Sequence, residues 1–176
     1  LTEKPVPAVG FLSGLSGRLL LLTAVFVLIA EVLIFVPSIA NMRLMWLRDR
    51  LNTAAAASVV IEGLPDQELP RNVQVETLLA TGAKAIVLKK ADASRMVAAV
   101  DMPPSVDAQY DLSDVSTLTS IYDAFDTLLF GGDRIIRVYG PVGETTTRIE
   151  LLLDEGPLRR AMLRYARNVF ILSMII

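Results

Sequence analysis

Three hydrophobic patterns divide the chain. Residues 19–36 (LLLLTAVFVLIAEVLIFV) are apolar throughout with Glu31 as the one charge, and the tolerant stretch reaches Ala40 past Pro37. About 20 such residues cross a hydrocarbon core ~30 Å thick. A signal peptide has a shorter apolar core of about 7–15 residues followed by a small-residue cleavage site. Here the run is longer and NMRLMWL follows it, so a retained membrane helix is predicted over residues 19–40. Residues 167–176 end in an equally apolar run, read as the truncated start of a second membrane helix.

Beyond the first run the pattern becomes heptad-like. Leu44, Leu47, Leu51, Ala54, Ser58 and Ile61 are spaced 3-4-3-4-3, and Leu158, Met162, Tyr165, Val169, Leu172 and Ile176 are spaced 4-3-4-3-4. Such seams pack helix on helix. Two readings stay open. In one, Leu44, Leu47, Leu51, Leu158, Met162 and Tyr165 form the seam of a homodimer, giving a four-helix bundle. In the other, the seams pack on their own domain.

Between the seams, residues 41–166 alternate helical and strand patterns. A helix is predicted over 73–81, with Asn72 as N-cap and Gly82 as stop. Residues 85–89 and 95–101 read as a hairpin of two strands, and residues 102–113, containing Pro103 and Pro104, as a loop. Val115, Leu118, Tyr122, Phe125 and Leu129 give one apolar helix face, ended by Gly131 and Gly132. Residues 134–139 form a third strand. Residues 146–153 alternate as a half-buried fourth, and Gly156-Pro157 opens the last helix. The order predicts an α+β domain, an antiparallel sheet with flanking helices.

Composition narrows the chemistry. The chain has 176 residues and is 53% hydrophobic, but only 20% are charged, with a net charge of −2. No basic bias points to nucleic acid. Without Cys or His, thiolate metal sites and Ser-His-Asp arrangements are ruled out. No P-loop, zinc signature or nucleophile elbow occurs. No catalytic residue, metal ligand or cofactor is expected in this segment.

Several polar groups remain as candidates. Glu31 stands in the middle of the first span, where a carboxylate is costly and faces protein or water. Arg137 and Tyr139 share a strand face; with Arg95 or Tyr110 they form a candidate site for an anionic ligand such as a small carboxylate, the plainer reading being surface charge. Asp101, Asp107, Asp111 and Asp114 have oxygens suited to a hard cation but no EF-hand spacing, and read as a solvated acidic loop. Arg159, Arg160, Arg164 and Arg167, beside the second apolar run, suit membrane lipid headgroups. The small-residue pair Gly10 and Gly14 precedes the span and carries little.

Charge alone leaves orientation open: Lys4 and Arg18 precede the first span, but Arg43, Arg48, Arg50 and the C-terminal arginines follow it, and the rule weakens for long loops. Residues 14–23 (GLSGRLLLLT), 30–41 (AEVLIFVPSIAN) and 154–165 (DEGPLRRAMLRY) resemble the membrane-flanking segments of a group of bacterial two-component sensor histidine kinases. The resemblance implies a cytoplasmic tail over 1–18 and a periplasmic sensor over 41–166 anchored in the inner membrane. It implies a PAS-like (PDC or Cache type) fold for that sensor, its N-terminal and C-terminal helices continuous with membrane helices. It also implies a small-molecule or protein signal, and a response regulator reached through a cytoplasmic kinase that follows this segment. A membrane-tethered scaffold with a protein-binding domain is the alternative.

Overall fold

The computed structural model describes residues 15–62, 70–90, 93–99, 105–141 and 148–175. The chain divides into two compact units at Val36 and Pro37. Helix α1 (Leu15–Glu62) carries Pro37 in its interior. Proline has no N–H to donate to the carbonyl four residues back, and the division of the chain falls at that missing bond.

The described part of the first unit, residues 15–36, is apolar helix. An 18-residue window has a mean hydropathy of 3.0 and none of it is buried, and large side chains such as Leu22, Phe26, Leu33 and Ile34 are exposed. Among the described residues, α1 is the one helix long and apolar enough to cross a membrane.

The second unit is an α+β domain. After α1 come α2 (Arg71–Thr81), β1 (Ala83–Lys90), β2 (Ala93–Ala99), β3 (Ala108–Asp111), α3 (Thr117–Phe130), β4 (Ile135–Pro141), β5 (Arg148–Asp154) and α4 (Glu155–Ile175). The five strands form one sheet in the order β2-β1-β5-β4-β3. The hairpin of β1 and β2 forms as the pattern predicts. α2 ends at Gly82, whose φ of 66° lets its N–H close onto the carbonyls of Leu78 and Leu79. Its N-terminus is held by the Pro70 carbonyl, which accepts from Val73 and Gln74, in place of the expected Asn72 cap.

The sheet corrects the sequence reading in two respects. Residues 108–111, assigned to a loop, form β3 and pair parallel with β4. The sheet is therefore mixed, and β3-α3-β4 is a parallel crossover unit. β5 was expected to be half-buried, but it lies between β1 and β4 and every residue from Ile149 to Leu153 is buried. Ile149, Leu151 and Leu153 alternate onto the core face as predicted, while Leu152 and Glu150 on the other face are buried too, Glu150 against its ion-pair partners Lys89 and Arg137.

The core lies on one sheet face. Across the ladder Ile86 meets Leu151 and Leu151 meets Val138, while Leu88 meets Ile149 and Ile149 meets Gly140. Ile39, Leu47, Leu51 and Ala54 of α1 and Leu158 and Met162 of α4 are buried with them. A Cβ at Gly140 would stand 3.2 Å from Leu51 Cδ1, so α1 packs close to this strand. Leu47, Leu51, Leu158 and Met162 are thus core residues of their own domain. Leu44 and Tyr165 are half-buried. The buried seam positions Leu47, Leu51, Ala54, Ser58, Leu158 and Met162 are filled from within the chain, whereas Leu172 of the second seam is exposed.

α3 also departs from expectation. Its inward residues are Ser120, Ala124 and Thr127. Its apolar face, with Leu118, Tyr122 and Leu129, points outward. The small residues let α3 approach closely, and Thr127 has polar partners inside. The helix starts at Ser116, whose hydroxyl accepts from the Thr119 N–H; Asp111 accepts from the Ser113 N–H.

Candidate functional site: a buried charge junction between the first and last helices

Arg43 lies in α1, four residues from both Ile39 and Leu47, and so on the helix face turned to the core. It is 1% exposed, which for a guanidinium demands compensation. Its Nε donates to Thr127 Oγ1 at 3.0 Å. Thr127 in turn donates to Glu155 Oε1 at 2.9 Å. The guanidinium carbon stands 4.1 Å from the centroid of the Tyr110 ring, within cation–π range. Asp123 Oδ2 is 3.6 Å from Nη1, an ion pair too long for a hydrogen bond. Arg43 Nη2 is buried without a protein partner.

Glu155 is the first residue of α4 and fully buried, a position where the helix dipole favours a carboxylate. Arg134, just before β4, donates through Nε to Glu155 Oε2 at 2.7 Å and through Nη2 to Oε1 at 3.1 Å. The same Nη2 donates to Asp126 of α3 at 2.8 Å. The Glu155 N–H returns a bond to the Arg134 carbonyl at 3.0 Å, so main chain and side chains lock together. Gly131 leaves the space for this: a Cβ there would lie 2.3 Å from the Thr127 carbonyl oxygen and 3.0 Å from Glu155 Oε2. Two further ties join the same elements. Arg159 Nε donates to the Leu128 carbonyl at 3.0 Å, and the Ser38 and Tyr165 hydroxyls share a hydrogen bond between α1 and α4.

The electrostatics follow from burial. Desolvation lifts the Tyr110 hydroxyl above its ordinary pKa, and Arg43 offsets this only in part. Desolvation also raises Asp123 above its ordinary value, and Arg43 offsets this only in part. The bond to Glu155 holds Arg134 more firmly protonated than a free guanidinium. Two arginines thus face three carboxylates within one cluster.

The opposite sheet face is polar. Glu150 forms ion pairs with Lys89 at 2.6 Å and with Arg137 Nε at 2.9 Å. The second lacks hydrogen-bond alignment, since Arg137 Nε has no satisfied partner. With Gln109, Tyr139 and Arg148 these residues line a shallow depression of about 260 Å³.

The ligand candidates are not brought together. Arg137 and Tyr139 share this polar depression, as alternation requires. Tyr110 pairs in register with Val138 and lies on the other face, under Arg43. The backbone of Arg95, on β2, pairs with Leu88 of β1, and two strands, β1 and β5, lie between β2 and β4 in the sheet order. Glu31 is half-exposed on α1 within the first unit. Asp107 accepts from the Ile135 N–H at 2.8 Å and Asp111 from Ser113, so both serve the local backbone. Asp101 lies outside the described residues. Among the described residues no acidic group assembles a metal site.

No protein-family model, curated protein or solved structure matches this chain. The junction therefore stands on its own geometry. The residues that sequence reasoning missed are Thr127, Asp123, Asp126 and Glu155. Arg43 counted only as a membrane-side charge, although its spacing from Ile39 and Leu47 marks it as core-facing. The small face of α3, Ser120, Ala124 and Thr127 at intervals of four and three, was a second legible signal.

Proposed function

We propose that this chain is the sensing and transmembrane-signalling module of a sensor histidine kinase. The observation that carries this reading is Arg43. It stands on the helix that holds the candidate membrane span and is joined through Thr127 to Glu155 at the first turn of α4. α4 ends in the exposed apolar residues Phe170, Ile171, Leu172 and Ile175. A change in the sheet domain that moves α3 or Arg134 alters the position of α4 against α1. Helix shifts of ~1–2 Å are enough in known switches.

In this reading the domain is a PAS-like sensor in the periplasm, with α4 entering a second span of the inner membrane. The parallel pairing of β3 with β4 departs from the antiparallel sheet that the element order predicts. The depression around Arg137 and Tyr139 is the place for a small anionic signal. The module works as a homodimer in contact with membrane lipid and passes its output to a response regulator through a cytoplasmic kinase. The chain itself carries no catalytic group and takes no cofactor.

The test uses the full-length protein in inverted membrane vesicles with radiolabelled ATP. Autophosphorylation is expected, and Thr127→Val is expected to change its rate several-fold at equal protein level. A full-length protein that incorporates no phosphate removes the kinase reading. The outward apolar face of α3 favours a second reading, a membrane-tethered scaffold. That reading gains if the protein binds a partner and shows no phosphotransfer.

A further inference from the structure

α3 turns its small residues to the core and its large apolar residues to the outside. Leu118, Tyr122, Leu129 and Phe130 are between 67 and 80% exposed, and Phe125 is 36% exposed. Such a contiguous apolar face is uncommon on a monomer. The exposed side chains Leu118, Tyr122, Phe125 and Leu129 are spaced 4-3-4, the spacing of a helix-packing seam.

The seam reads the same in both directions. About its midpoint, Leu118 mirrors Leu129 and Tyr122 mirrors Phe125. A two-fold contact needs such self-complementarity, because each residue i that meets residue j requires j to meet i. In an antiparallel pair of α3 helices, leucine faces leucine at both ends and aromatic faces aromatic in the centre. Aromatic pairs add to area burial.

Charge agrees with this occupant. α3 contains two charges, Asp123 and Asp126, and no Lys or Arg. A helix that lies on anionic lipid is rich in Lys and Arg, so a membrane surface fits poorly. Like-charge repulsion between copies is blunted, because Asp123 is paired with Arg43 and Asp126 with Arg134. The area is modest. Taking roughly 150–200 Å² for a fully exposed large apolar side chain, Leu118, Tyr122, Phe125 and Leu129 offer about 400–500 Å² per copy. Two copies bury roughly 800–1,000 Å², the size of a weak interface. Tethering to one membrane raises the effective concentration and offsets the modest area.

We propose that this face is a two-fold contact between copies of the chain, α3 packing antiparallel on α3. It lies away from the heptad seams and does not need the kinase reading. A protein that pairs through α3 yet transmits no signal leaves the contact standing and sinks the signalling module alone.

The chain has no Cys, so introduced thiols report cleanly. Full-length chains carrying Leu118→Cys and chains carrying Leu129→Cys are co-expressed, and membranes are oxidised. Crosslinking between the two variants is expected to exceed that of either alone by at least about 5-fold. In the antiparallel pair, equivalent 118 positions stand about 16 Å apart along the axis, beyond the ~7 Å a disulfide spans. Tyr122→Glu is expected to abolish the crosslink while leaving the unfolding of the domain, followed by Trp46 fluorescence, unchanged. No crosslink in the mixture, equal crosslinking of each variant alone, or crosslinking that survives Tyr122→Glu overturns the proposal.

Discussion

Glu155→Gln tests the junction most directly, since it keeps the side-chain shape and removes the charge. Glu155 accepts three bonds, from Thr127 at 2.9 Å and from Arg134 at 2.7 and 3.1 Å. A glutamine has one oxygen, so its amide nitrogen must face either Arg134 Nε or Arg134 Nη2, donor against donor. At least one charge-assisted bond is lost, worth roughly 1.5–3 kcal/mol. The remaining bonds weaken because the acceptor is neutral, and two arginines lose a buried counter-charge. Removing one partner of a buried pair costs about 3–5 kcal/mol; with the shape retained, ~3 kcal/mol is expected. For a domain of this size that lowers the midpoint by roughly 10 °C. The assay is thermal unfolding of the full chain in detergent, read by Trp46, the one tryptophan, whose ring lies against Arg50 on α1. A double-mutant cycle with Arg134→Met separates the pair from general damage, with a coupling above about 1.5 kcal/mol expected. A midpoint shift under ~2 °C, or a coupling under ~0.5 kcal/mol, refutes the claim that these groups hold α4 in place.

Three further outcomes follow from the same geometry. Gly131→Ala pushes a Cβ to 2.3 Å from the Thr127 carbonyl oxygen, and since that atom is backbone, a loss of about 2 kcal/mol or more is expected in denaturant unfolding. Arg43→Met removes a buried cation but leaves Glu155 bound by Arg134; it is expected to cost less than Glu155→Gln, about 1–2 kcal/mol, because methionine fills the stem volume and the unpaired Nη2 disappears. Desolvation raises the folded pKa of Asp123 above its ordinary value, so its folded form holds the proton more tightly. Its contribution is most favourable below the unfolded pKa and is lost as pH rises through the folded pKa. Asp123→Asn is therefore expected to be the more stable variant at neutral pH, with the advantage shrinking as pH falls toward 4; an advantage that grows on acidification contradicts this sign.

Local features of this fold were legible in the sequence, and non-local ones were not. The apolar run over 19–36, the β1-β2 hairpin and the stop at Gly82 each depend on residues within a few positions. β3 failed because its four residues, Ala108 to Asp111, carry no apolar run and exist as a strand only by pairing with β4. The alternation of β5 marked Ile149, Leu151 and Leu153 as one buried face, but the burial of Glu150 and Leu152 on the other face depends on the neighbouring strands β1 and β4. Within the seams of α1 and α4, Leu47, Leu51, Ala54, Leu158 and Met162 are buried in the core and Leu172 is exposed; a heptad pattern does not say whether the partner is another chain or the sheet behind. The junction is the clearest limit. Arg43, Thr127 and Glu155 are 84 and 28 positions apart, and no short motif links them.

The choice of charge at this junction is itself informative. A buried Arg–Glu pair contributes little net stability compared with apolar residues of the same volume, because desolvation consumes most of the attraction. The surrounding core already holds α1 and α4 through Leu47, Leu51, Leu158 and Met162, so holding them together does not require Arg43. What the polar chain adds is direction. Leucine packing tolerates small sliding, whereas the bonds from Arg43 to Thr127 and from Thr127 to Glu155 have narrow ranges of length and angle. Displacing α3 by an ångström breaks one or both bonds, and the buried groups then need new partners. A contact of that kind favours discrete arrangements over graded ones, which is the property required of a joint between a first helix and a last helix.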